Sequence, residues 1–329
     1  MVNLPEEKLW DKVNILLSEY GQEALQFSKN YVLQEKIEYE PLCEALRYFF
    51  ESWFDVLHPT LISLSCEAVG GNRNETVKMG AAIVLLTGAA DIHDDIMDQS
   101  LTKESNPTVF GKFGKDIAIL AGDALLLKGV YLLNEACEIL PNEKRKIVLE
   151  SIKSTFFEMS SGVAKEAGLR GNTSIPLTEF LSIVRQKVAT VEATMRIGAL
   201  IGGGSDEQVS VLSHYGRTYG TLLSLRDEFV DVFEAEEIKN RLANECLPLP
   251  VLLALQDNSK NALLSNLLKS DFTQENVEKI LDLSIDCKAS RELVAKMNRM
   301  IDQEIAGLSA IAKHREIFSS LLKSTVEDL

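Results

Sequence analysis

Apolar residues recur along this chain at spacings of three and four, and no sustained alternation of apolar and polar positions interrupts them. That period belongs to the helix, in which residues three and four apart share a face. It predicts helices over residues 5–28, 41–57, 59–69, 73–98, 107–111, 114–139, 142–167, 177–202, 206–233, 247–256, 259–268, 273–282 and 287–325. Pro5, Pro41, Pro59, Pro107, Pro141 and Pro176 precede or open these segments, where a missing N–H does no harm. The loops between are short, among them Gly70–Asn74, Arg170–Ser174 and Gly202–Ser205. None reads as a linker. The expectation is therefore an all-α protein, with residues 1–329 forming a single domain built as a helical bundle.

One segment stands apart. Met79 to Ala90 is twelve residues without a charge, and it runs straight into Asp91, Asp94, Asp95 and Asp98. Offsets of 3, 4 and 7 put the four carboxylates on one side of a helix, where like charges one turn apart repel. A solvated acidic face is the plain alternative, but a helix uncharged all round is buried. The pattern recurs about 130 residues later in GTLLSLRDEFVDVFE, where an apolar run meets Asp227, Glu228 and Asp231. Unpaired buried carboxylates cost several kcal/mol each, and no Lys or Arg lies inside the first cluster. Hard divalent cations resolve this, since Mg²⁺ typically takes one or two carboxylates plus substrate phosphates. Two facing clusters across a bundle core, where such folds build metal sites, suggest a metal-held diphosphate.

Composition narrows the alternatives. The net charge of −15 argues against nucleic acid and anionic membranes as partners. The five cysteines, Cys43, Cys66, Cys137, Cys246 and Cys287, are scattered without CxxC spacing, as expected of reduced thiols in a cytoplasmic protein. No signal peptide and no transmembrane segment is visible. A carboxylate-bridged di-iron bundle needs Glu-x-x-His on paired helices, and Asp55, Ala90, Val211 and Ile311 stand three residues before the four histidines instead. HExxH, GxxxxGK[ST] and GxSxG are also missing.

With those residues in view, the chain resembles the trans-isoprenyl diphosphate synthases, the polyprenyl synthetase family. Asp94-Asp95-Ile96-Met97-Asp98 resembles the family's first DDxxD, preceded by His93 as in its HDD. Asp227-Glu228-Phe229-Val230-Asp231 resembles the second, with Glu in second place. Between them Ala121-Gly122-Asp123-Ala124-Leu125-Leu126 resembles AGDxLL, and Lys187-Val188-Ala189 resembles KTA. The resemblance runs from about residue 55 to 255. It implies the all-helical isoprenoid synthase fold, a homodimer, and three Mg²⁺ held by Asp94, Asp95, Asp98, Asp227, Glu228 and Asp231. The implied reaction is ionisation of an allylic prenyl diphosphate, attack by isopentenyl diphosphate on the cation, and proton loss. Asp94, Asp95, Asp98, Asp227 and Lys187 would be catalytic, and Lys187 and Lys103 would hold the leaving diphosphate. Ala89 and Ala90, where the family's short-product members carry a bulky aromatic, leave the chain-length shaft open and suggest a long-chain product. Close helix packing is the alternative use of those alanines.

The second diphosphate site departs from the family pattern. Asp55 stands for the Lys of GGKxxRP, and His58, the expected substrate-binding residue there, stands for its Arg. Thr87 replaces a His, Glu104 the second Arg of an RRG segment, and Ser224 a Gln. The KxTxP segment reads Cys246-Leu247-Pro248-Leu249-Pro250, without its Lys. A unit charge 4 Å away is worth about 4 kcal/mol at an effective dielectric near 20, so an acid in place of a base weakens a diphosphate site severely. Arg47, Arg73 or Lys78 could reach in instead. Three functions stay open: a long-chain prenyl synthase with a rebuilt second site, an enzyme that passes the allylic cation to another acceptor or cyclises it, and a non-catalytic subunit of a heteromeric synthase.

Overall fold

The computed structural model describes residues 8–103 and 106–329. In chain order its α-helices are α1 (Leu9–Leu33), α2 (Glu40–Ser52), α3 (Leu57–Ala68), α4 (Val77–Met97), α5 (Val109–Phe113), α6 (Lys115–Ala136), α7 (Asn142–Gly168) and α8 (Leu177–Lys187). There follow α9 (Ala189–Ile201), α10 (Asp206–Val230), α11 (Ala235–Asn244), α12 (Leu249–Leu255), α13 (Asn261–Leu267), α14 (Gln274–Ile285), α15 (Lys288–Gly307) and α16 (Arg315–Ser324). The only strands among the described residues are β1 (Thr102–Lys103) and β2 (Asn106–Pro107), paired antiparallel with Lys103 opposite Asn106. The all-α expectation is borne out.

Differences from the predicted elements have local causes. The segment 177–202 divides into α8 and α9, because Val188 leaves the helical region at φ −87°, ψ 14°. The segment 287–325 divides into α15 and α16, and His314 between them adopts a left-handed φ of 63°. No apolar period announces either break. The sequence AEEIKNRLAN, outside every predicted helix, forms α11, and only Ile238 and Arg241 of it are buried. Two buried positions in ten leave almost no periodic signal. The predicted start at Pro5 and the substitution at Glu104 lie outside the described residues.

The chain divides into two compact units. The first holds the described residues up to Lys153, with Ala193–Ser213 and Ala310–His314. Its central element is α4, which packs on α1, α3 and α6. Met79, Ala81, Ala82, Val84 and Leu85 of α4 are at most 1% exposed. Burying such a side chain contributes about 1.5–3 kcal/mol for the larger ones, so the uncharged run fixes α4 inside this unit. Phe49 of α2 lies over Gly88 and stacks on Trp53 with ring centroids 4.7 Å apart.

The second unit comprises Ser154–Glu192, His214–Ser309 and Arg315–Leu329. All seven residues of α12 are buried, and that helix packs on α13, α14 and α15. Tyr215 of α10 is fully buried and donates its hydroxyl hydrogen to the carbonyl of Phe318 at 2.7 Å. Arg217, also buried, pairs with Glu158 and Glu192, tying α10 to α7 and the start of α9. All five cysteines are free thiols. Among the described residues no helix is long and apolar enough to cross a membrane.

Candidate active site

The first acidic motif occupies the C-terminal end of α4. Backbone carbonyls there carry the negative end of the helix dipole, so carboxylates on this turn are disfavoured twice, by one another and by the helix. The helix stops at Asp98 because Gln99 turns left-handed (φ 56°) and its side-chain amide donates to the carbonyl of Ile96 at 2.6 Å. Asp94 and Asp98 are half-buried, whereas Asp95 is only 4% exposed.

The strand pair brings a cation to this turn. Lys103 Nζ lies 2.8 Å from Asp91 Oδ1 and 2.7 Å from Asp95 Oδ1. Lys103 was expected to face the leaving diphosphate; here it bridges two carboxylates of the helix that would hold the metals. Burial nonetheless pushes the Asp95 pKa up to about 7, with Lys103 opposing and the neighbouring Asp91 and Asp94 charges adding to the rise. The AGD segment supports the same turn from α6. His93 Nε2 lies 3.4 Å from Asp123 Oδ1, and a Cβ on Gly122 would come within 2.4 Å of that imidazole nitrogen. Glycine is thus required at 122 for the ring to lie against α6.

Two turns earlier on the same face, Thr87 meets the substituted diphosphate residues. Thr87 Oγ1 donates to Asp55 Oδ2 at 2.8 Å, His58 Nδ1 lies 2.7 Å from the same oxygen, and the His58 backbone N–H donates to Asp55 Oδ1 at 3.1 Å. Burial by itself would raise the Asp55 pKa, but the His58 charge and hydrogen bonds outweigh it and hold it below the usual carboxylate range. Burial likewise opposes the His58 charge, and Asp55 outweighs it, so the imidazole pKa is raised. Each partner thus favours the charged form of the other. Three substitutions that look unrelated in sequence form one hydrogen-bonded group.

The second motif lies at the end of α10 and in the turn after it. Asp227 projects, its side chain 65% exposed, with Arg226 Nη1 3.8 Å away. Glu228 and Asp231 turn inward to Arg241 of α11. Arg241 Nη2 donates to both Glu228 oxygens at 3.0 Å, Nη1 donates to Asp231, and Nε donates to the Cys246 carbonyl at 2.8 Å. The Leu249 N–H adds a 2.8 Å bond to Glu228 Oε2. Glu228, expected as a metal ligand, therefore has both oxygens engaged. Burial still raises the pKa of Glu228 and of Asp231, against the pull of Arg241. Arg241 was not foreseen, because a buried arginine in a polar decapeptide leaves no pattern. The one hint was the lost lysine at Cys246, whose carbonyl Arg241 now binds. Elsewhere in this unit, Lys187 at the end of α8 pairs with Glu166.

Among the described residues no three His, Cys, Asp or Glu side chains are arranged to hold a metal ion. Mg²⁺ does not require such a cage, since it completes its shell with water and substrate phosphate oxygens around one or two carboxylates. The donors of both motifs are carboxylate oxygens, the hard ligands that suit this ion. They fit it in kind.

The raised carboxylates set a pH dependence. Asp95 holds its proton in the folded protein up to about pH 7, whereas an unfolded Asp releases it near pH ~3.9. Across that window the folded state binds more protons than the unfolded one, so stability falls as pH rises. Urea unfolding at pH 5 and pH 8 should show the lower stability at pH 8. Asp95→Asn should flatten the slope, and added Mg²⁺ should stabilise more at pH 8 than at pH 5. A slope unchanged in Asp95→Asn would contradict this assignment.

Comparison with known proteins gives the same picture from outside. The polyprenyl synthetase family model matches residues 40–284, a span that takes in both acidic motifs. The chain is 30% identical over 253 residues to the geranylgeranyl diphosphate synthase of Sulfolobus acidocaldarius, covering 76% of this chain and 74% of that protein. It is 29% identical over 253 residues to the geranylgeranyl diphosphate synthase of Methanosarcina mazei, covering 75% and 77%. In fold it superposes on the geranylgeranyl pyrophosphate synthetase from Pyrococcus horikoshii Ot3 with a TM-score of 0.85 at 23% identity, over 97% of this chain and 99% of that one. With DDIMD on the buried α4, DEFVD at the end of α10 and the family match spanning both, this chain belongs to the polyprenyl synthetase family and is a prenyltransferase.

Proposed function

We propose that this protein is a Mg²⁺-dependent prenyl diphosphate synthase, joining the prenyl group of an allylic diphosphate to isopentenyl diphosphate. The observation that carries the reading is the DDIMD turn, where a buried carboxylate, two half-buried ones and the helix end concentrate negative charge beside Lys103. Asp94, Asp95, Asp98, Asp227 and Asp231 are the carboxylates we assign to Mg²⁺. The metal, when bound, stabilises charge on the departing diphosphate. Lys103 and Lys187 donate to diphosphate oxygens, Lys103 giving up Asp91 and Asp95 to do so and Lys187 giving up Glu166. Substrate binding then exchanges one anion for another, with little loss of pairing for either lysine.

The relatives' names support a geranylgeranyl product in preference to the long chain expected from Ala89 and Ala90. Ala89 is 1% exposed and packed in the core, so its small size serves helix packing. A homodimer is supported by α6, which exposes Ile119, Leu120, Leu127, Val130 and Tyr131 on one stripe. An apolar stripe of that extent suits a second copy of the same face.

A second reading rests on the Asp55–His58–Thr87 group. With Asp55 against it, His58 offers a second diphosphate no net positive charge, which favours transfer of the cation to an acceptor other than isopentenyl diphosphate, or its cyclisation. One assay separates the two. Purified protein with Mg²⁺ and farnesyl diphosphate should form an elongated product only when isopentenyl diphosphate is added. Diphosphate release at the same rate without it favours the second reading. Folded protein that does neither, with geranyl or geranylgeranyl diphosphate as well, contradicts both.

A further inference from the structure

Arg241 is among the most constrained side chains in its unit. It is 4% exposed and donates to Glu228, to Asp231 and to the backbone ahead of α12. A buried guanidinium with two carboxylates is costly to desolvate, and an apolar trio of equal volume often serves stability as well or better. Stability alone therefore gives a weak reason for it. Its planar fork, which fixes carboxylates in direction as well as charge, gives a stronger one.

We infer that Arg241 is a positioning residue of the second acidic motif: with the Leu249 N–H it takes up Glu228 as an anchor and aims Asp231, so that the motif presents Asp227 and Asp231 to metal and keeps Glu228 back. This rests on the proposed metal-dependent function. Glu228 has both oxygens bonded by groups that cannot leave together, since Arg241 is buried and Leu249 N–H opens α12. Asp231 shares only one oxygen with Arg241 and keeps 29% of its side chain exposed. Asp227 has Arg226 Nη1 at 3.8 Å and projects, its side chain 65% exposed. The three carboxylates of DEFVD are thus divided by geometry into one that holds and two that present.

The test uses Mn²⁺ as the probe, with inorganic diphosphate and no allylic substrate, and reads free Mn²⁺ by electron paramagnetic resonance on the full chain. Arg241→Lys keeps the charge and loses the fork, and should weaken Mn²⁺ binding about tenfold, as loss of an outer partner does elsewhere, with circular dichroism unchanged. Should that variant fail to fold, Arg241→Met combined with Glu228→Met replaces the buried pair by apolar side chains and should show the same weakening. Glu228→Gln should weaken binding less than Asp231→Asn. Wild-type affinity in Arg241→Lys or in the double variant, or a loss in Glu228→Gln equal to that in Asp231→Asn, overturns the inference. Wild-type protein that binds no Mn²⁺ with diphosphate sinks the proposed function instead, so the two failures are distinguishable.

Discussion

Replacing Asp94 by alanine should lower turnover of an allylic diphosphate by about 10²–10³-fold, the loss found when one preorganised electrostatic group is removed from a developing charge, while the protein stays folded. The residue is half-buried on the last turn of α4, and the packing of that helix comes from Met79 to Leu85. Asp227→Ala should have an effect of the same order, and its exposed side chain contributes little to folding. Steady-state diphosphate release, with circular dichroism as the control for folding, checks both. Because the two residues are assigned to one reaction, the double variant should fall far short of the product of the single losses. Full additivity would mean that they act on separate events.

The second large effect is on stability. Asp55→Ala should cost about 3 kcal/mol at pH 6, the lower end of the range for leaving one member of a buried pair uncompensated. His58 has its folded pKa raised by Asp55, so its share is complete below its unfolded pKa near ~6.5 and is lost as pH rises through the folded value. Asp55 has its pKa lowered, so its share is complete above ~3.9 and is lost as pH falls through the folded value. The pair therefore stabilises most between about pH 4 and 6.5, and the cost of Asp55→Ala should shrink as pH rises through the folded His58 value. Thr87→Val removes one hydrogen bond from the group and should cost about 1 kcal/mol. Urea unfolding across a pH series from 6 upward measures all of this. A cost that stays the same across the whole series would contradict a His58 charge held by Asp55.

What could be read from the sequence was whatever depends on period and charge. The uncharged run before Asp91 predicted a buried helix over 73–98, and α4 is found at Val77–Met97 with a short 3₁₀ turn before it. The carboxylates of DDIMD fall at its end for the same reason. Hidden from that reading was everything that depends on a partner distant in the chain or on one backbone angle. Arg241 lies ten residues beyond Asp231, and nothing in AEEIKNRLAN signals that its guanidinium is buried on Glu228. Asp55, His58 and Thr87 were each visible as departures from the family pattern. That they satisfy one another required the close approach of the segment before α3 to the middle of α4. The breaks at Val188 and His314 are single-residue events that propensity does not carry.

The central claim is that the clustered carboxylates exist to bind a prenyl diphosphate through divalent metal. Calorimetric titration of the unreactive analogue farnesyl thiolodiphosphate into the wild-type protein tests it most directly, once with Mg²⁺ and once with EDTA. Tight binding with Mg²⁺ that is lost in EDTA, and lost in Asp94→Ala even with Mg²⁺, is the predicted result. Binding that is the same with and without the metal would contradict it.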